Sequence, residues 1–153
     1  MRILVVDDHA LFRDGIVSLL EASGHTVVGQ AGDGNEAVEA ALRCRPDVVL
    51  MDIAMPQFNG LEALRRIKAE APEIKVVMLT VTEEDASLIT AMRSGVQGYL
   101  LKSLSTEEFL ASLERLTRGE LAISHQDMNR IVEGLVGLVN QQPEPQKDPL
   151  TER

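Results

Sequence analysis

The stretch "PDVVLMD", residues 46–52, places four apolar residues on consecutive positions and then stops at an acid. A strand with one wet face alternates polar and apolar residues. A strand that is apolar on consecutive positions has to be covered on both faces, which calls for a parallel sheet with helices on either side. "ILVV" (3–6) and "IKVVMLT" (74–80) read the same way, and "HTVVGQA" (25–31) and "VQGYLL" (96–101) complete a set of five strands. Helical spacing fills the intervals. Leu11, Phe12, Ile16, Leu19 and Leu20 precede a stop at Gly24, and Ala37, Val38, Ala41 and Leu42 form the inward stripe of 32–44. "LEALRRIKAE" (61–70) is closed by Pro72, and "EEDASLITAMRSG" (83–95) is the fourth helix. "STEEFLASLERLTRG" (105–119) opens with Ser105 and Glu108 at capping-box spacing. Five β–α units in alternation predict an α/β fold with a doubly wound parallel sheet and right-handed crossovers.

A chain of 153 residues predicts one domain with a tail. Aromatics are 3% and Trp is absent, so the core has to be aliphatic. A formal charge of −9 argues against this chain gripping a phosphate backbone or an anionic membrane surface. No apolar run approaches the ~18 residues of a membrane span, and the first residues form a strand rather than a signal peptide. Cys44 is the one cysteine, which excludes a disulfide framework and a Cys-based metal centre. The chain is therefore expected to be soluble and cytoplasmic.

In open parallel sheets, ligands bind beyond the C-terminal strand ends at a topological switch point. Asp7 and Asp8 end the first strand, Asp52 the third and Thr80 the fourth, and Lys102 follows the fifth. All five polar groups are thus predicted to meet at one sheet edge. Two unit charges ~5 Å apart repel by about 3 kcal/mol at an effective dielectric of 20, so three carboxylates need a counter-charge. Oxygen-only ligands suit Mg²⁺. With Lys102 beside it, such a site is built to hold a phosphoryl group against one carboxylate. His9 reads as a loop or helix-start residue, His25 and His125 as surface, and Met51, Met55 and Met78 as core or loop packing.

The "DD" after strand one, "LMDIAMPQFNG" around Asp52, Thr80, and "GYLLK" ending at Lys102 resemble the receiver domain of bacterial two-component response regulators over roughly residues 1–118. "VVDDHALFRDGI" and "GVQGYLLKS" further resemble the NarL/FixJ subgroup, in which a LuxR-type helix-turn-helix follows the receiver. The resemblance implies a flavodoxin-like (βα)5 fold with strand order 2-1-3-4-5. It implies that Asp52 accepts a phosphoryl group from a sensor histidine kinase. It implies that Asp8, Asp52 and the backbone carbonyl of Ala54 ligate Mg²⁺, with Asp7 helping through a water. Lys102 would pair with the phosphoryl oxygens and Thr80 would swing to bond them. Tyr99 would turn inward behind Thr80 and change the surface of helix four, strand five and helix five. Pro56 and Gly60 would shape the loop after Asp52. Two positions depart from the family pattern. Val81 stands where a small residue is usual and is expected to narrow access to Asp52, and Ala54 lacks the amide or acid some members carry there.

Beyond the receiver, 119–140 reads as a linker helix with an apolar stripe at Ile131, Leu135 and Leu138. Residues 141–153, rich in Pro and polar residues, read as a flexible linker. "LTER" (150–153) resembles the opening of the LuxR-type helix-turn-helix, which puts the output domain outside this chain. The expected function is a phosphorylation-controlled switch of a transcription regulator. DNA would be bound only through the missing domain, and phosphorylation would drive homodimerisation. No chemistry is expected beyond the chain's own phosphorylation and dephosphorylation. The competing readings are a stand-alone receiver acting as a phosphorelay or protein-interaction module, and an aspartyl-phosphate hydrolase. The hydrolase needs a substrate pocket and general acid that the sequence does not show.

Overall fold

The computed structural model describes residues 1–55, 60–81, 85–123 and Glu133. Strands β1 (Arg2–Val6), β2 (Thr26–Ala31), β3 (Val48–Asp52), β4 (Lys75–Thr80) and β5 (Gly98–Leu101) alternate with five helices. These are α1 (Ala10–Ala22), α2 (Gly34–Cys44), α3 (Gly60–Glu70), α4 (Asp85–Arg93) and α5 (Thr106–Thr117). All strand pairs are parallel, in the order β2-β1-β3-β4-β5. The expected strand order is therefore observed.

β3 is buried along its whole length, as its consecutive apolar residues require. The period of two then sorts the core into two layers. Ile3, Val5, Val48, Leu50, Val77, Leu79 and Leu100 face one way and pack with Leu20 of α1 and Phe109, Leu113 and Leu116 of α5. Leu4, Val6, Val49, Met51, Val76, Met78 and Tyr99 face the other and pack with α2, α3 and α4. Helix starts follow their capping residues. The Ser105 hydroxyl accepts from the Glu108 N–H at 3.1 Å while the Glu108 carboxylate receives the Ser105 N–H, so the predicted capping box forms. The Asp33 carboxylate accepts from the Glu36 N–H at 2.8 Å and starts α2 in the same way.

One element differs from expectation. Ala122 and Ile123, read above as part of a linker helix, form a short sixth strand, β6, parallel to β5. Residues on the exposed edge of β5 need partners for their backbone groups, and the chain returning from α5 provides them. Gly98 permits it, because a Cβ there would lie 2.9 Å from the Ala122 Cβ and 3.0 Å from its carbonyl oxygen. Gly119, Glu120 and Leu121, read as the start of the same helix, instead form a turn, with Gly119 at φ 79°, and an irregular connection into β6. Residues 124–140, Glu133 apart, and all of 141–153 lie outside the described residues, as does Pro56.

Candidate functional site: an acidic pocket at the sheet edge

Side-chain alternation decides which groups meet. Asp52 continues the parity of Val48 and Leu50, and it lies beside Leu79 in the ladder. Lys102 continues the parity of Leu100. Asp7 continues that of Ile3 and Val5, and its N–H extends the ladder to the Ala31 carbonyl at 3.0 Å. All three therefore point to the α1/α5 side of the sheet edge. There the Lys102 ammonium lies 2.7 Å from Asp7 Oδ2 and 3.2 Å from Asp52 Oδ2. Asp7 and Asp52 are both buried. Thr80 has the other parity, with Val76 and Met78, and shares the α4 side with Tyr99. It is buried at the rim, and its carbonyl accepts the Lys102 N–H at 2.7 Å. Tyr99 lies inward, 1% exposed, within the α3/α4 core layer.

The pocket holds more than the three carboxylates. His9 ends as the N-cap of α1, with its Nδ1 3.2 Å from Asp7 Oδ1 and 3.3 Å from Asp8 Oδ1. Its backbone N–H also donates to Asp7 Oδ1 at 2.8 Å. The Arg13 guanidinium donates to the Asp7 carbonyl at 2.6 Å and anchors α1 to the end of β1. Ligating atoms of Asp7, Asp8, His9 and Asp52 lie within 4.8 Å of one another, a span that one small cation can bridge. Ala54 is exposed beside them, and its N–H donates to Asp52 Oδ1 at 3.0 Å.

Electrostatics match this crowding. Burial raises the Asp52 carboxyl above the ordinary aspartate value, and neighbouring Asp7 adds to the rise. The Ala54 N–H and Lys102 offset part of it. Burial would lower Lys102, but Asp7 and Asp52 outweigh it and hold the ammonium above the usual lysine range. Lys102 is therefore fully charged at neutral pH.

Gly60 explains how β3 can end in this pocket. A Cβ on it would sit 2.5 Å from the Asp52 carbonyl oxygen and 2.7 Å from Met78 Cε. Its N–H donates to the Ile53 carbonyl at 3.1 Å. Only glycine lets α3 begin so close to the phosphoacceptor candidate. Val81, expected to narrow access to Asp52, follows β4 directly and is 72% exposed. His9, read as a loop or helix-start residue, is indeed the exposed N-cap of α1, and its contact with both acids is what the reading did not include. Its proximity to Asp8 in sequence was the available signal, and the fold of the β1–α1 turn brings it round to both acids.

Fold and pocket together define a class: a doubly wound α/β module with an acidic, lysine-bridged pocket at its switch point. The particular family follows from comparison. Residues 3–114 match the response regulator receiver domain, and the chain belongs to that family. It is 40% identical over 154 residues to the response regulator GacA of Pseudomonas aeruginosa, covering all of this chain and 71% of that protein. It is 36% identical over 123 residues to the nitrate/nitrite response regulator protein NarL of Escherichia coli, covering 80% of this chain but only 57% of that one. Several relatives are thus matched over less than two thirds of their length. A LuxR-family two-component response regulator from Aurantimonas sp. SI85-9A1 superposes with a TM-score of 0.82 at 32% identity, over 88% of this chain and 97% of that one. No helix among the described residues is long and apolar enough to cross a membrane.

Proposed function

We propose that this receiver is switched by phosphorylation of Asp52, with a sensor histidine kinase as donor and Mg²⁺ as cofactor. The observation that carries the reading is the single Lys102 ammonium shared between two buried carboxylates at 2.7 and 3.2 Å. A phosphoryl group on Asp52 would give that ammonium a better acceptor than it has now. An Asp52 carboxylate oxygen attacks phosphorus in line. The bond from phosphorus to the donor nitrogen breaks, and its electron pair returns to the donor imidazole. The donor set of carboxylate oxygens fits Mg²⁺: Asp8 and Asp52 would hold it, with the Ala54 carbonyl and Asp7 in the supporting roles that the resemblance implies. When bound, Mg²⁺ supplies charge neutralisation for the equatorial oxygens.

Phosphorylation replaces one negative charge with about two and adds acceptor oxygens. Thr80 stands at the rim to receive one of them by its hydroxyl. It also shares a sheet face with Tyr99, so its movement alters the packing behind the α4–β5–α5 surface. That differential contact is what a population shift requires, and homodimerisation through this surface is the expected output. In the whole regulator, DNA would be bound by a C-terminal helix-turn-helix domain, and the protein would work in the cytoplasm. The chain catalyses only its own phosphorylation and dephosphorylation.

Incubation with acetyl phosphate and Mg²⁺ followed by intact-mass measurement tests this. Wild type should gain one phosphoryl mass, and Asp52→Asn should gain none while keeping its circular dichroism spectrum. Uptake by Asp52→Asn at the native rate would remove Asp52 from the role. Repeated turnover without any accumulated phospho-form would favour a hydrolase.

A further inference from the structure

We infer that Phe12 is a positioning residue for the phosphoryl site, acting through Lys102. This rests on the role proposed above for the Lys102 ammonium. Phe12 lies on the first turn of α1, half-buried, and read in sequence as one more apolar residue of the helix stripe. In the fold its ring lies under the Lys102 ammonium, with Nζ 4.5 Å from the ring centroid. That is well inside the ~6 Å range of a cation–π contact. The ammonium is thus held from three sides by Asp7, Asp52 and an aromatic face.

The three partners are not equivalent. Asp7 and Asp52 are ionic acceptors that Mg²⁺ and the phosphoryl group would both engage, so their hold on Lys102 changes during the reaction. The Phe12 ring binds neither metal nor phosphoryl. Its attraction for the ammonium therefore persists as the carboxylates are reassigned. A third carboxylate at position 12 would also hold the lysine, but it would add a negative charge facing an incoming anion. An aromatic face supplies the attraction with no net charge. Lys102 also lines, with Phe12, Leu79, Leu104 and Phe109, an apolar cleft of about 160 Å³ between α1 and α5. The apolar stem of Lys102 has room to move along this cleft, so once the carboxylates are reassigned the ring still restricts where its head rests.

The test uses Phe12→Leu, which removes the ring face but keeps an apolar side chain of similar size, Phe12→Tyr as the conservative variant, and Lys102→Ala alone and combined with Phe12→Leu. Binding of beryllofluoride with Mg²⁺, and of Mg²⁺ alone, is measured by calorimetry, and unfolding in urea is followed for all variants. Phe12→Leu should weaken beryllofluoride binding about fivefold and leave Mg²⁺ binding within about twofold, while Phe12→Tyr binds as wild type does. In the unfolding cycle, the loss from Phe12→Leu should be about fivefold smaller in the equilibrium constant on the Lys102→Ala background. The inference is overturned by unaltered beryllofluoride binding in Phe12→Leu, by equal losses of beryllofluoride and Mg²⁺ binding, or by an unfolding loss that is the same with and without Lys102. Wild type that binds Mg²⁺ but neither beryllofluoride nor a phosphoryl group overturns instead the proposed function on which the inference rests.

Discussion

The two ends of the sheet treat charge in opposite ways. At the N-terminal end, Arg2, Arg45, Asp47, Glu73 and Lys75 are each given a local partner. The Arg2 N–H donates to Asp47 at 2.8 Å, and its guanidinium closes the carbonyls of Cys44 and Arg45 at the end of α2. Arg45 pairs with Glu73 at 3.2 Å, and Lys75 donates to the Leu116 carbonyl at 3.0 Å. Most of these groups are exposed, and they staple chain ends with cations where helix carbonyls are left over. At the C-terminal end, three carboxylates crowd together, and the two buried ones share one lysine. Pairing there is incomplete by design of the topology, since every strand delivers its last residue to the same edge. Charge that serves stability is matched in place, and charge that serves binding is left in excess.

Breaking the lysine bridge should have the largest effect. Lys102→Met leaves buried carboxylates without their cation and should cost about 3 kcal/mol in urea unfolding at pH 7. In wild type the Lys102 contribution is present at neutral pH and is lost only as pH rises through its folded value, above 10.5. In the variant the deficit should shrink as pH falls and the carboxylates take up protons. A deficit that is the same at pH 4.5 and pH 7 would argue against uncompensated charge as its cause.

Asp52→Asn works in the other direction. The folded protein holds a proton on Asp52 more tightly than the unfolded chain does, so ionised Asp52 destabilises the fold at neutral pH. The variant should be more stable than wild type at pH 7, in the direction that burial of the charge sets. The difference should narrow as pH falls through the folded value and close below 3.8. A variant less stable than wild type at pH 7 would mean that the Lys102 contact outweighs the burial of the charge.

The smallest effect belongs to the stapled end. Asp47→Ala removes an exposed acceptor from the Arg2 N–H, and water replaces it, for a cost of about 0.5 kcal/mol. Mg²⁺ binding, read by calorimetry, should be unchanged. A measurable loss of metal affinity would show that the two ends are coupled through the strands.

Much of the pocket was legible before any coordinates, because a strand has a period of two and a parallel sheet has one C-terminal edge. Asp7, Asp52 and Lys102 each end a strand pattern on the same parity, so they had to converge. Thr80 was readable at the rim for the same reason. His9 was not, since a turn residue has no period to betray its direction. Phe12 was read correctly as part of an apolar stripe, but no helical period says which end of the stripe meets the lysine that follows β5.

What the sequence determined by itself is the set of five β–α units, the burial of the central strands and the edge to which their charges go. These follow from local periodicities that survive in any context. Only the tertiary structure decided the sixth strand, the grip on Lys102 and the closeness of Gly60 to Asp52. Ala122 and Ile123 carry too short a pattern to announce a strand, and they become one because β5 has an open edge and Gly98 leaves room beside it. The resemblance marks Gly60 as shaping the loop after Asp52, but the 2.5 Å approach that requires a glycine arises when α3 docks on the end of β3. Contacts between residues far apart in the chain depend on how packed elements meet, and that meeting is settled by the shape of the whole core rather than by any one segment of it.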